Sequence, residues 1–234
     1  RLYWRLEGAA GRPVLLLLNS IGTDMSLWDR AAPYLLGQFQ LLRMDTRGHG
    51  ASDAPAGDYR LEQLALDAVA VMDAAQVQRA VVCGISLGGM IALSLALQAP
   101  QRLTALICAC SSAQMNMQAW ARRIDTVRTQ GMAAIADVVM QRFFADTFRA
   151  SHPELCTSVR SALLTMSADG YAGCGAAVRD LDLAGQLGSI TAPTLVISAR
   201  NDISTPFAGH GERIVAAIPA ARHVGLNAAH LACT

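Results

Sequence analysis

Residues 80–98 read Ala80-Val81-Val82-Cys83-Gly84-Ile85-Ser86-Leu87-Gly88-Gly89-Met90-Ile91-Ala92-Leu93-Ser94-Leu95-Ala96-Leu97-Gln98. The apolar run Ala80–Cys83 predicts a buried strand. Leu87–Gln98 predicts a helix that is apolar almost all round, stopped by Pro100. Between them lies Gly84-Ile85-Ser86-Leu87-Gly88, and a strand that turns through such a sequence straight into a helix is the setting of a nucleophile elbow. The serine occupies a tight, strained turn, so the residues two before and two after it must lack side chains. Its hydroxyl then stands clear at the top of the sheet. The competing reading is a glycine-rich turn whose serine only caps the helix; the strand–turn–helix context favours the nucleophile.

Working outward, the same alternation of strand and helix recurs. Val14–Leu18, Gln40–Met44 and Leu103–Cys110 predict strands, and 27–36 and 60–76 predict helices. Near the end, Thr194–Ser198 and Arg222–Leu226 predict strands on either side of a helix at Phe207–Ile218. This spacing is that of βαβ units, so the fold class is α/β, with a mostly parallel sheet covered on both faces. The alternation breaks between Ser111 and Leu187. There the pattern is helical only, at Ala119–Val127, Met132–Phe144 and Glu154–Met166, with a short further helix over Asp180–Leu187. Residues 1–110 and 188–234 are therefore expected to form the core. Residues 111–187 are expected to form a helical cap over the sheet's carboxyl edge, where open α/β sheets bind ligands.

Composition excludes several function classes. The chain has 234 residues, 53% hydrophobic and 16% charged, which suits one compact domain and excludes a disordered chain. No apolar run approaches the roughly 20 residues of a membrane span. The net charge is +1 with both signs interspersed, so no basic field for nucleic acid or for a membrane surface is expected. All 19 basic residues are arginine, which excludes a Schiff-base or phosphate-loop lysine. The six cysteines show no CxxC spacing and read as free thiols of a cytoplasmic protein. Histidines and acids do not fall at metal-ligand spacing, and no cofactor is expected. The expected partner is a small molecule, and nothing in the sequence speaks to oligomeric state.

A serine nucleophile needs a base, and the base an orienting acid, in the chain order Ser, Asp or Glu, His. Asp202 follows the late strand, just before Ser204-Thr205-Pro206, and His230 follows the last strand. The other histidines compete less well. His223 falls inside a predicted strand with its side chain expected in the packing, His210 in a helix and His152 in the cap. His49 precedes the nucleophile and reads as a loop residue. The oxyanion donors are expected from the N–H of Leu87, at a helix start, and from the loop Asn19-Ser20-Ile21-Gly22-Thr23, with Ile21 first and Ser20 second.

Together these stretches resemble the α/β-hydrolases of the 3-oxoadipate enol-lactonase type. The resemblance is carried by Leu18-Asn19-Ser20-Ile21-Gly22-Thr23-Asp24 with Trp28, by Met44-Asp45-Thr46-Arg47-Gly48-His49-Gly50-Ala51-Ser52, by Cys83 to Met90, by Gly170-Tyr171-Ala172-Gly173-Cys174 and by Ala228-Ala229-His230-Leu231. It spans nearly the whole chain. It implies opening of an enol-lactone ring in aromatic catabolism, with a substrate that carries a free carboxylate. Arg142, beside Phe143, is the expected substrate-binding pair, with Arg122, Arg123 and Arg149 behind it. Two features depart from the family: Arg142-Phe143 stands where an arginine–tryptophan pair is frequent, and Cys108-Ala109-Cys110-Ser111-Ser112 where an asparagine–threonine pair is. A carboxylesterase or another lactonase acting on a small neutral substrate is the alternative, and a non-catalytic receptor on this fold is a distant third. Haloalkane dehalogenation is disfavoured because the nucleophile is Ser86 and not aspartate. The resemblance also implies further chain beyond both Arg1 and Thr234.

Overall fold

The computed structural model describes residues 1–234 and holds one seven-stranded sheet. Its strands are β1 (Trp4–Glu7), β2 (Val14–Leu18), β3 (Gln40–Met44), β4 (Ala80–Ile85), β5 (Leu103–Ala109), β6 (Thr194–Ala199) and β7 (Arg222–Leu226). In space they run β1-β3-β2-β4-β5-β6-β7. Only β1 is antiparallel, against β3; all other neighbours are parallel. β3 lies on one side of β2 and β4 on the other, so the strand order reverses between β2 and β4. A crevice opens at the carboxyl ends of strands at such a reversal.

The central strands read as continuous apolar runs because both of their faces are covered. Leu16, Leu17 and Leu18 of β2 and Leu41 and Leu42 of β3 are wholly buried. Helix α2 (Leu61–Ala74) covers the sheet with one stripe, Leu61, Leu64, Ala65, Ala68, Val71 and Met72. Helix α3 (Leu87–Gln98) is buried from Leu87 to Ala96, which explains why it carries no polar face.

Five helices separate β5 from β6: α4 (Met117–Gln130), α5 (Ala133–Phe143), α6 (Asp146–Ser151), α7 (Pro153–Thr165) and α8 (Ala168–Arg179). Helix α4 packs on α8, and α5 on α7. Helix α8 carries three glycines and does not read as a helix from its sequence. Its glycines admit backbone-to-backbone packing: a Cβ on Gly170 would lie 2.4 Å from the Gly48 carbonyl oxygen.

Other departures from the sequence expectations have local causes. The helix expected over 27–36 is two pieces, a 3-10 turn (Met25–Trp28) and α1 (Ala32–Leu35). Pro33 lacks an N–H and its ring would clash with the Asp29 carbonyl, so one continuous helix cannot form. Residues 180–186 are not helical, and only a 3-10 turn follows, Leu187–Ser189. Leu183 N–H donates to Ala113 O at 2.9 Å and Asp182 bridges Gln114, which pins this stretch to the segment after β5. The last helix, α9, is shorter than expected, Gly211–Ala217. No helix is long and apolar enough to cross a membrane.

Candidate active site

Ser86 stands directly after β4 and at the start of α3, at the carboxyl edge where the strand order reverses. Its backbone is strained, with φ 56° and ψ −119°. Such a conformation costs about 1–3 kcal/mol in a non-glycine residue and persists only when its surroundings over-determine it. Here Ser86 N–H donates to Ala109 O at 2.9 Å, while Ser86 O accepts Met90 N–H at 3.1 Å and the Ser111 hydroxyl at 2.7 Å. The flanking glycines are sterically required. A Cβ on Gly84 would lie 2.0 Å from Gly88 O, and one on Gly88 2.2 Å from Leu18 O.

Asp202 and His230 come from the loops after β6 and β7. Two backbone bonds tie these loops together, Arg200 N–H to Leu226 O and Asn201 N–H to Ala228 O, both 2.9 Å. The result is a buried pair: His230 Nδ1 lies 3.0 Å from Asp202 Oδ1 and 2.9 Å from Oδ2. Asp202 also accepts the N–H groups of Ser204 (2.8 Å) and Thr205 (3.1 Å) and the Thr205 hydroxyl (2.9 Å). Burial alone raises the Asp202 pKa. The hydrogen bond and charge of His230, with the two backbone donors, outweigh burial and hold the carboxyl below its ordinary range. With Nδ1 committed to Asp202, Nε2 is the ring nitrogen left for chemistry. Ser86 and His230 line one cavity, though no hydrogen bond joins them; in ligand-free sites such bonds are commonly long and tighten when substrate binds.

Ile21 and Leu87 line the same cavity. The Leu87 N–H belongs to the first turn of α3, where backbone donors lack intrahelical partners. The Ile21 N–H makes no hydrogen bond, while Ser20 O on its own peptide plane accepts Thr23 N–H (3.2 Å) and the Thr23 hydroxyl (2.9 Å). Ser20 does not line the cavity. Asn19 is buried and structural: its amide accepts Trp28 Nε1–H at 2.9 Å and donates to Met44 O at 2.8 Å.

The inserted helices lie over these groups and leave about 30 Å³ of free space. Arg142 and Phe143 of α5 face the cavity, as do Trp120 and Arg123 of α4. Neither Arg123 nor Arg142 has a carboxylate partner; Arg123 instead sits over the rings of Trp120 (4.8 Å) and Tyr171 (5.5 Å). Arg122 does not reach the cavity, and Arg149 pairs with Asp146. Sequence reasoning ranked Arg123 behind Arg142 and passed over Trp120; their spacing of three residues on one helix was the available signal.

The remaining histidines lie elsewhere. His223 is exposed on β7, not packed inside; β7 is an edge strand, and the imidazole bonds Ser198 Oγ at 2.8 Å and stacks on Phe207. His210 precedes α9 and bonds Ser112 Oγ at 2.8 Å. His152 stacks on Phe148 within the inserted helices. His49 is wholly enclosed beneath the Ile21 loop. No group of three or more His, Cys, Asp or Glu side chains gathers at metal-binding geometry.

The model of the alpha/beta hydrolase fold family matches residues 13–233. Over 202 residues the chain is 39% identical to 3-oxoadipate enol-lactonase 2 of Acinetobacter baylyi, covering 86% of this chain and 76% of the relative. The crystal structure of the enol-lactonase from Burkholderia xenovorans LB400 superposes with a TM-score of 0.96 at 35% identity, over 98% of this chain and 89% of that one. A hydrolase structure from Pseudomonas aeruginosa PA01 gives 0.95 at 42% identity, over 98% and 87%.

Proposed function

The chain belongs to the alpha/beta hydrolase fold family, as an ester or lactone hydrolase akin to the 3-oxoadipate enol-lactonases, and from that footing we propose that it opens the ring of 3-oxoadipate enol-lactone to give 3-oxoadipate. The observation that carries this reading is one cavity shared by a serine on a strained elbow, an Asp202-supported His230 and two unpaired guanidiniums.

In the proposed reaction, His230 Nε2 takes the proton of Ser86 as Oγ attacks the lactone carbonyl. Asp202 fixes the imidazole and stabilises its cationic form. The N–H groups of Ile21 and Leu87 receive the oxyanion, each supplying about 3 kcal/mol. The ring C–O bond then breaks, and the enol that leaves takes its proton from His230 and becomes a ketone. Water, deprotonated by His230, attacks the acyl-enzyme, releases a carboxylate and returns Ser86 to its hydroxyl form.

Residues 111–187 act as the cap that sets substrate choice. The substrate's free carboxylate meets Arg142 and Arg123, and Phe143 packs beside it. The apolar lining, with Met90, Met115 and Val178, favours a second reading, a carboxylesterase or lactonase of small neutral substrates. The six unpaired thiols suit a reducing cytoplasm.

The test is a turnover comparison of the enol-lactone with neutral lactones and short esters, run on wild type and Ser86→Ala. The reading predicts the highest kcat/KM for the enol-lactone and its loss in the variant. Preference for a neutral ester supports the second reading, and full activity of Ser86→Ala overturns both.

A further inference from the structure

The stretch Asp45 to Ser52 is absorbed by none of the chemistry above, yet it grips the loop that carries Ile21. Asp45 accepts Met25 N–H at 2.8 Å and Ala51 N–H at 2.8 Å, tying the far end of that loop to its own turn. His49 holds the near end. Its Nε2 accepts the Gly22 N–H at 3.0 Å, and its Nδ1 lies 3.2 Å from Arg47 O. The two contacts demand one tautomer: Nδ1 carries the hydrogen and donates to the carbonyl, and Nε2 is the acceptor.

Gly22 N–H and Ile21 C=O share one peptide plane. Ile21 N–H and Ser20 C=O share the preceding plane, whose oxygen is held by Thr23 through both N–H and hydroxyl. The two planes on either side of the Ile21 α-carbon are therefore both clamped, one by Thr23 and one by His49. With both fixed, the free Ile21 N–H has one direction to point. We propose that His49 is a positioning residue that holds the Ile21 N–H aligned for the oxyanion of the tetrahedral intermediate.

The surroundings keep the acceptor available. Burial pushes the His49 pKa down to about 4, so Nε2 stays unprotonated near neutrality. The groups facing the ring do not reverse this. Cys174 of α8 lies 3.8 Å from Nδ1 as a thiol, with its own pKa driven up by burial. Arg47 offers its carbonyl while its guanidinium is engaged with Asp67. Asp24 acts only through its charge. A protonated ring would set an N–H against the Gly22 N–H, and the clamp would open.

The inference rests on Ile21 as an oxyanion donor, so it is tested with a substrate that needs the oxyanion site but not the arginines. The experiment measures kcat and KM for p-nitrophenyl acetate in wild type, His49→Leu and His49→Gln, normalised to the fraction of Ser86 labelled by a fluorophosphonate. Leucine matches the bulk without an acceptor; the glutamine amide can accept from Gly22 and donate to Arg47. The expected result is a fall in kcat on the order of 10- to 100-fold for leucine, with KM within about twofold, and substantial recovery for glutamine. A folded leucine variant with wild-type kcat overturns the proposal, as does a glutamine variant no better than leucine. Should leucine fail to fold, His49→Asn, whose shorter amide stops short of Gly22, gives the same contrast: equal kcat for asparagine and glutamine overturns it. A wild type that hydrolyses p-nitrophenyl acetate but not the enol-lactone sinks the substrate reading and leaves the His49 comparison standing.

Discussion

The Phe143 ring stacks against the His230 imidazole, with centroids 6.2 Å apart and planes 13° from parallel. The Phe143 carbonyl also accepts the N–H of Leu231 at 3.2 Å. The end of α5 thus grips the His230 loop through both side chain and backbone. Phe143→Ala keeps the backbone bond and removes the ring. The loss of a buried phenylalanine costs about 3–5 kcal/mol, and an imidazole freed on one face is less well aimed. Thermal unfolding should show the loss of stability, and kcat should drop at least several-fold; a variant with unchanged kcat removes the ring from any part in aiming His230.

Asp202→Asn tests the orienting acid. The carboxylate faces four donor groups, from His230, Ser204 and Thr205, and an amide accepts on only one of its two atoms. The imidazole then loses both its tautomer and its counter-charge. A fall in kcat on the order of 10⁴-fold at neutral pH is expected, with the far-UV spectrum unchanged. A loss smaller than tenfold assigns the orienting role elsewhere.

The two cavity arginines predict a split between substrates. A charge-assisted hydrogen bond is worth about 1.5–3 kcal/mol, or roughly 10- to 150-fold. Arg123→Ala and Arg142→Ala should each raise KM for a carboxylate-bearing lactone by at least about tenfold and leave KM for p-nitrophenyl acetate nearly unchanged. If neither variant moves KM for the charged substrate, the carboxylate is held by other groups.

Stability should depend on pH through His49. The unfolded chain binds a proton on this residue near pH 6.5, the folded chain only near pH 4. Between those values the unfolded state holds the extra proton, so stability falls as pH falls through that window, by on the order of 3 kcal/mol in all. Cys174, whose thiol burial pushes up, and Arg47, whose guanidinium Asp67 holds charged, keep their protonation through that window. Urea unfolding at pH 7 and pH 4.5 measures the slope. His49→Gln, which cannot titrate, should flatten it; an unchanged slope would assign the acid sensitivity to other groups.

Much of the core was legible because its signals are local. The apolar runs of β2 to β6 each follow from a few adjacent residues, and the elbow is marked by Gly84 and Gly88, whose absent side chains the turn requires. What escaped depends on distant chain. Strand β1 is short and half-buried, and only its pairing with β3 makes it a strand. Helix α8 looks like a loop because glycine is a poor helix former; the close approach of Gly170 to Gly48 outweighs that preference. Arg122 and Arg123 are neighbours in sequence, yet only Arg123 meets the cavity, because one residue turns a helix by about 100° and the facing side depends on how α4 docks. His49 looked like a bland turn residue because its partner Gly22 lies 27 positions away.

The fixed cations that face the cavity are both guanidiniums, Arg123 on α4 and Arg142 on α5. A carboxylate held by both would bridge two helices of the inserted block. Such a ligand would tie α4 to α5, so a carboxylate-bearing lactone or its product should slow amide hydrogen exchange in both helices, where a neutral ester of similar size should not.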